Sequence, residues 1–110
     1  MIKWYPDLYL DEKASKKEAK LKNKIENGKV AFDVYCICIS MNPDNLFDIM
    51  NVNELLFRYY RQKQISIIGL AYGRASAIKL LEKIALDIYH NTDNFEPNMF
   101  FCDYLHEIEG

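Results

Sequence analysis

The pattern of apolar and polar positions divides residues 30–90 into two units, each an apolar run followed by a longer amphipathic run. The apolar runs are residues 30–40 and 65–71. Both are apolar on two faces, as is typical of a strand buried between layers. The amphipathic runs begin where these strands stop and extend to about residues 62 and 90. The units predict a parallel sheet with crossover helices.

The amphipathic runs both predict helices. The first opens on Asn42, Pro43 and Asp44, which together supply a capping side chain, a proline at the first helical position and an acid in the first turn. Its apolar residues are more numerous than one sheet face needs, which suggests a second contact surface. The second run has the clearest helical period, and its predicted buried face consists of Ala77, Ile78, Leu81, Ile84, Ala85 and Ile88.

Three further segments flank these units. Residues 1–10 read as an apolar, aromatic N-terminal arm interrupted by Pro6. Residues 11–27 predict a helix, with Ser15 and Glu18 spaced as a capping box and Gly28 as the C-terminal stop. Residues 99–105 predict a third strand. The full order is then α-β-α-β-α-β.

We therefore predict a single α/β domain over residues 1–110. Its core would be a small, three-stranded, mainly parallel sheet with crossover helices. A chain of 110 residues leaves no room for a second hydrophobic core.

Charge is unevenly distributed along the chain. The net charge is −2, but residues 11–29 carry seven lysines against four acids, whereas residues 87–110 carry six acids and no lysine or arginine. This bipolar pattern favours pairing of a basic helix with an acidic end, within one chain or between two. Nucleic acid is disfavoured as a partner by the acidic pI of about 5.6. An accessory role on nucleic acid through the lysine-rich first helix stays an alternative.

The lack of a recognisable targeting signal and the cysteine usage both predict a cytoplasmic protein. The first ten residues lack the continuous apolar stretch of a signal peptide, and no run approaches the length of a membrane helix. The three cysteines do not form a disulfide framework. Ile, Asn, Lys, Tyr and Phe supply 46 of the 110 residues, which suggests a low-GC bacterium or its phage or plasmid.

Catalytic and metal-binding patterns are weak throughout the sequence. Cys36 and Cys38 fall on one face of a predicted buried strand, where cysteine behaves as a small hydrophobic residue. His90 and His106 have no ligand spacing that would complete a metal site with them. No catalytic set can be argued from spacing. We predict no cofactor and no metal, and we do not favour an enzyme.

A ligand site is predicted at the carboxyl ends of the two buried strands, where open parallel sheets bind ligands. The candidate residues are Ser40, Asn42, Tyr72, Gly73 and Arg74. Two helix N-termini and one arginine would favour a small anion such as a phosphate, nucleotide or carboxylate. The spacing Gly69-x-x-x-Gly73 lacks the lysine and hydroxyl residue of a phosphate-binding loop.

The leading functional hypothesis rests on surplus aromatic surface instead. The candidate interface residues are Trp4, Tyr5, Phe57, Tyr59, Phe100 and Phe101. A scaffold of this size is too small to bury all of them, and aromatic residues are enriched at interfaces. We expect a non-enzymatic protein that acts through a protein partner or through self-association as a homodimer.

Overall fold

The computed structural model describes residues 2–40 and 46–92. The strands are β1 (Ile2–Leu10), β2 (Val34–Ile39), β3 (Phe47–Asn51) and β4 (Ile65–Tyr72); the helices are α1 (Glu12–Ser15), α2 (Glu18–Glu26), the 3₁₀ helix Val52–Leu56, α3 (Arg58–Arg61) and α4 (Arg74–Thr92). The predicted third strand at residues 99–105 lies outside the described residues.

The sheet has four strands in the order β1-β4-β2-β3. Only β1 and β4 run parallel, while β2 is antiparallel to both of its neighbours. The predicted three-stranded, mainly parallel sheet is therefore wrong. That prediction assumed a crossover helix between residues 40 and 65. In the structure, β3 follows β2 and pairs with it in the antiparallel direction.

The N-terminal segment is a strand of this sheet and not an arm. It pairs with β4 from Ile2 opposite Ile65 to Leu10 opposite Leu70. The register is interrupted between Trp4 and Tyr9, around the position of Pro6, which cannot donate a ladder hydrogen bond. Such an irregular edge discourages pairing with another chain.

Three short elements replace the predicted helix over residues 46–62, while its predicted start at residues 42–44 lies outside the described residues. Phe47 and Ile49 pack against one core cluster and Met50 against the other, which is the two-residue period of a strand. The Asn51 side chain then accepts a hydrogen bond from the backbone N–H of Asn53 at 2.9 Å and starts the 3₁₀ helix. The helical prediction failed here because short apolar runs fit both periods.

The first helix is divided in two. Asp11 caps α1 by accepting from the backbone N–H of Ala14, whereas α2 begins after Lys17 without a side-chain cap, so the predicted capping box is wrong. The predicted stop at Gly28 is confirmed. Gly28 has a φ of 66°, and the backbone N–H groups of Gly28 and Lys29 donate to the carbonyl oxygens of Ile25 and Lys24.

Strands β2 and β4 and helix α4 match the sequence pattern closely. Strand β2 spans Val34–Ile39, which is shorter than the predicted run 30–40. Cys36 and Cys38 pack on one side of the sheet, as predicted, and Ile37 packs on the other. In α4, Ala77, Ile84 and Ile88 are buried as predicted. Leu80, which was not predicted to be buried, is buried, whereas Ile78, which was predicted to be buried, is exposed.

Two apolar layers enclose the sheet. The α2-side core joins α1, α2 and the 3₁₀ helix to one face; its helical members are Ala14, Leu21, Ile25, Val52 and Leu55. The α4-side core joins α4 to the opposite face. Pairing between β2 and β4 skips Ile68. The skipped residue is a bulge, and Ile67 and Leu70 on either side of it both face the α2-side core.

Gly69 lies where β1, β2 and α4 come closest to β4. A Cβ atom at this position would lie 3.3 Å from Leu80 Cδ2, 3.3 Å from the Tyr9 carbonyl oxygen and 3.4 Å from Ile37 Cδ1. A backbone oxygen held in the sheet has little freedom to withdraw. A side chain at this position would therefore separate packed layers.

We predict that Gly69→Ala lowers the free energy of unfolding by about 1–3 kcal/mol, because overpacking exceeds the gain from a stiffer unfolded chain. Urea unfolding measures the change. In a Leu80→Ala background the same substitution should cost less, since one of the crowding atoms is gone. An unchanged or increased stability in the otherwise unaltered chain would contradict this account of Gly69.

Candidate interaction surface

The structure does not bring the predicted ligand residues together. Val34 pairs with Tyr72, so the carboxyl end of β2, where Ser40 follows, lies at the opposite end of the sheet from Tyr72, Gly73 and Arg74. The backbone N–H of Ser40 donates to the Leu46 carbonyl oxygen beside β3. Asn42 lies outside the described residues. The separation follows from the antiparallel course of β2.

The carboxyl ends of the parallel strands β1 and β4 do meet, and Asp11 joins them. One carboxylate oxygen accepts from the backbone N–H of Ala14 at 2.8 Å, and the other accepts from the backbone N–H of Tyr72 at 3.1 Å. The backbone N–H of Asp11 donates to the Leu70 carbonyl oxygen at 3.3 Å. One residue thus caps α1 and anchors it to β4.

The depression at this end of the sheet carries charges of both signs. Its volume is about 390 Å³, and its lining consists of Asp11, Glu12, Lys13, Lys16, Asp33, Tyr72 and Ser76. The ammonium groups of Lys13 and Lys17 lie 4.8 and 5.7 Å from the centre of the Tyr72 ring. A carboxylate oxygen of Asp33 lies 3.5 Å from the Cβ position of Gly73, where α4 begins. A protein carboxylate therefore already faces this helix N-terminus.

We predict that Asp11→Ala lowers the free energy of unfolding by about 1–2 kcal/mol, the usual cost of a lost cap. Loss of the bond from Tyr72 should add to this cost, because a part-buried N–H is left without its acceptor. Asp7→Ala is the matched control, since Asp7 is an exposed aspartate on β1, and it should change stability by less than about 0.5 kcal/mol. Equal effects of the two substitutions in urea unfolding would contradict the role of Asp11.

The two strand cysteines are structural. Their sulfur atoms lie 3.6 Å apart, and both residues are buried in the α2-side core, as the sequence predicted. The hydrogen bond to Cys36 and burial raise the pKa of the Cys38 thiol. A raised pKa disfavours the thiolate that a nucleophile or metal ligand would need. Within the described ranges, no group of three or more His, Cys, Asp or Glu side chains could hold a metal ion.

Two of the predicted interface residues, Trp4 and Tyr5, are integrated into the fold. Trp4 packs against the α2-side core, and its indole N–H donates to Glu26 Oε1 at 2.6 Å. Tyr5 packs against the α4-side core and stacks on Tyr9 with ring centres 6.3 Å apart. The Tyr9 hydroxyl in turn donates to Asp87 Oδ2 at 2.7 Å. These aromatic side chains stabilise β1 against its neighbours.

Two other predicted interface residues, Phe57 and Tyr59, are exposed. The exposed fractions are 63% for Phe57 and 59% for Tyr59. The Tyr59 ring meets the Tyr60 ring edge-on at 5.0 Å, and the Lys63 ammonium lies 5.0 Å from its centre. We call Phe57 and Tyr59 the aromatic corner. Phe100 and Phe101 lie outside the described residues.

A crevice of about 580 Å³ adjoins the aromatic corner. It lies between the C-terminal end of α2 and the chain from the 3₁₀ helix to α3. Its apolar lining residues are Ile2, Ile25, Val52, Leu55, Leu56 and Tyr60, and its polar lining residues are Glu26, Asn27, Gly28, Lys29 and Arg61. Leu56 and Tyr60 line the crevice, and each is next in sequence to a member of the aromatic corner. Phe57 and Tyr59 are not part of the lining themselves, so the corner adjoins the crevice along the chain at Leu56 and Tyr60.

Local structure on both sides shapes this crevice. The left-handed Gly28 ends α2 and turns the chain away from it. The Asn53 side chain then fixes the next segment against the 3₁₀ helix, accepting from the Ala31 N–H at 2.9 Å and donating to the Ala31 carbonyl oxygen at 3.0 Å. Sequence reasoning missed the crevice. The surplus of apolar residues between positions 46 and 60 was the one signal that indicated a second contact surface.

No helix in the described part of the chain combines the length and apolar character required to cross a membrane. Comparisons with protein-family models, with curated proteins and with solved structures found no match to this chain. The crevice and the aromatic corner are therefore the features of this chain that bear on its function.

Proposed function

We propose that this chain is a small non-enzymatic protein that acts through self-association, with the crevice and the aromatic corner as its contact surface. The observation that carries the proposal is the exposure of Phe57 and Tyr59 next in sequence to residues of a crevice with a mixed apolar and polar lining. By contrast, Trp4 and Tyr5 pack onto the cores. Aromatic side chains next to a pocket are the usual centre of a protein contact.

The composition of this surface supports a protein contact more than a small-molecule site. Six apolar or aromatic side chains line the crevice together with the charged residues Glu26, Lys29 and Arg61. Interfaces between proteins commonly combine apolar side chains with polar and charged ones. Burial of exposed aromatic rings against a partner removes them from water and stabilises the complex.

The compartment and source belong to the same proposal. Cys36 and Cys38 are free thiols with sulfur atoms in contact, and this supports a reducing environment such as a bacterial cytoplasm. In such a compartment the protein would depend on packing, without disulfides, for its stability.

We predict that the double variant Phe57→Ser/Tyr59→Ser weakens self-association by about tenfold or more, as loss of central aromatic residues does in other interfaces. Sedimentation velocity over a range of micromolar concentrations measures the dissociation constant. Circular dichroism should be unchanged, because both side chains are exposed in the described fold.

The matched control is Leu86→Ser/Tyr89→Ser on α4. These two side chains have nearly the same exposed fractions, 58% and 56%, but they lie on α4, which packs on the face of the sheet opposite the crevice. Their substitution should leave association unchanged. A chain that stays monomeric at every concentration, or equal weakening by both double variants, would overturn the proposal.

A further inference from the structure

We infer that the crevice binds the acidic, aromatic segment 93–110 of a second copy of this chain. The inference rests on the proposed self-association and names the segment that makes the contact. Complementary charge, complementary apolar character and the position of residue 92 in the fold support it.

Charge complementarity is the first argument. All fourteen lysines and arginines lie between residues 3 and 83, within the described ranges, which hold only ten acids. Residues 93–110 contain five acids and no lysine or arginine. A body with excess positive charge and a segment with only negative charge attract one another at ordinary ionic strength.

The basic residues of the body are well placed around the crevice. Lys29 and Arg61 are part of the lining, where Glu26 is the single acid. Arg58 and Lys63 are close to Arg61 in sequence, and the Lys63 ammonium lies against Tyr59 of the aromatic corner. Gly28 and Lys29 donate backbone hydrogen bonds to the last carbonyl groups of α2, so side chains dominate the local charge.

Apolar complementarity is the second argument. The segment carries Phe95, Met99, Phe100, Phe101, Tyr104 and Leu105 among its acids. A crevice of about 580 Å³ lies in the size range of pockets that bury an organic group. Aromatic side chains can fill it while neighbouring carboxylates reach Lys29 and Arg61.

The position of residue 92 favours a second copy over the same chain. Helix α4 packs on one face of the sheet, whereas the crevice opens in the layer on the opposite face. Within one chain, a segment that follows Thr92 would have to reach the opposite face of the sheet to enter the crevice. A second copy can present the whole segment, and reciprocal exchange between two copies closes a twofold dimer.

A synthetic peptide of residues 93–110 provides the first test. Added in excess to the full 110-residue chain, it should occupy the crevices and convert dimers to monomers in sedimentation velocity. A peptide of the same segment with Phe100→Ser and Phe101→Ser is the control and should have a weaker effect. Dimers that persist at saturating peptide concentration would overturn the inference.

Mixing two full-length variants provides the second test. Phe57→Ser/Tyr59→Ser alters the aromatic corner and leaves residues 93–110 unchanged. Phe100→Ser/Phe101→Ser alters that segment and leaves the crevice and the aromatic corner unchanged. Each variant alone should associate at least tenfold more weakly than the unaltered chain. Their mixture should regain a heterodimer with one intact contact, and recovery also shows that both variants fold.

The outcomes separate this inference from the proposed function. If the unaltered chain never associates, both fall. If it associates and the Phe57/Tyr59 variant weakens association, but neither the peptide nor the Phe100/Phe101 variant has an effect, only the inference falls. Variants that each lose association but fail to recover on mixing would show that the segment of one copy does not occupy the crevice of another, which also overturns it.

Discussion

Burial of both faces of β4 determines how the rest of the chain is arranged. Seven of its eight residues are buried, so the strand needs a neighbour on each edge and an apolar layer on each face. β1 and β2 occupy the edges, and the helices supply the two layers. The glycine in the middle of the strand allows this enclosure, because the Tyr9 carbonyl and the Leu80 and Ile37 side chains occupy the space that a Cβ atom would need.

The parallel pairing of β1 with β4 has a second consequence at the carboxyl ends of these strands. Both strands end beside helices, and the Asp11 carboxylate satisfies backbone N–H groups at Ala14 and Tyr72. Polar groups that could have received a ligand are thus used in joining the elements. The site predicted from strand ends lost its premise when β2 proved to run in the opposite direction.

The crevice arises from the way three short elements share the α2-side face. Helix α2 covers one part of that face, and the 3₁₀ helix and α3 cover another, with Gly28 and Asn53 setting the turn and the spacing between them. Short helices leave gaps that a single long helix would fill. Phe57 lies between the 3₁₀ helix and α3, Tyr59 lies within the four residues of α3, and both side chains are exposed.

Local patterning was sufficient for β4, for α4, for the shared face of Cys36 and Cys38 and for the stop at Gly28, because each is fixed by nearby residues. It was also sufficient to single out Phe57 and Tyr59 as surplus aromatic residues, although it treated Trp4 and Tyr5 in the same way. The two pairs differ in their tertiary neighbours: Glu26 accepts a hydrogen bond from the Trp4 indole N–H, and the Tyr9 ring stacks on Tyr5.

Contacts between distant parts of the chain decide three other features. These are the strand order, the formation of strands by residues 2–10 and 47–51, and the crevice. The sequence by itself determined which segments are apolar enough to be buried, and the tertiary structure decided which surfaces they bury, because pairing in a sheet is chosen among partners far apart in the chain.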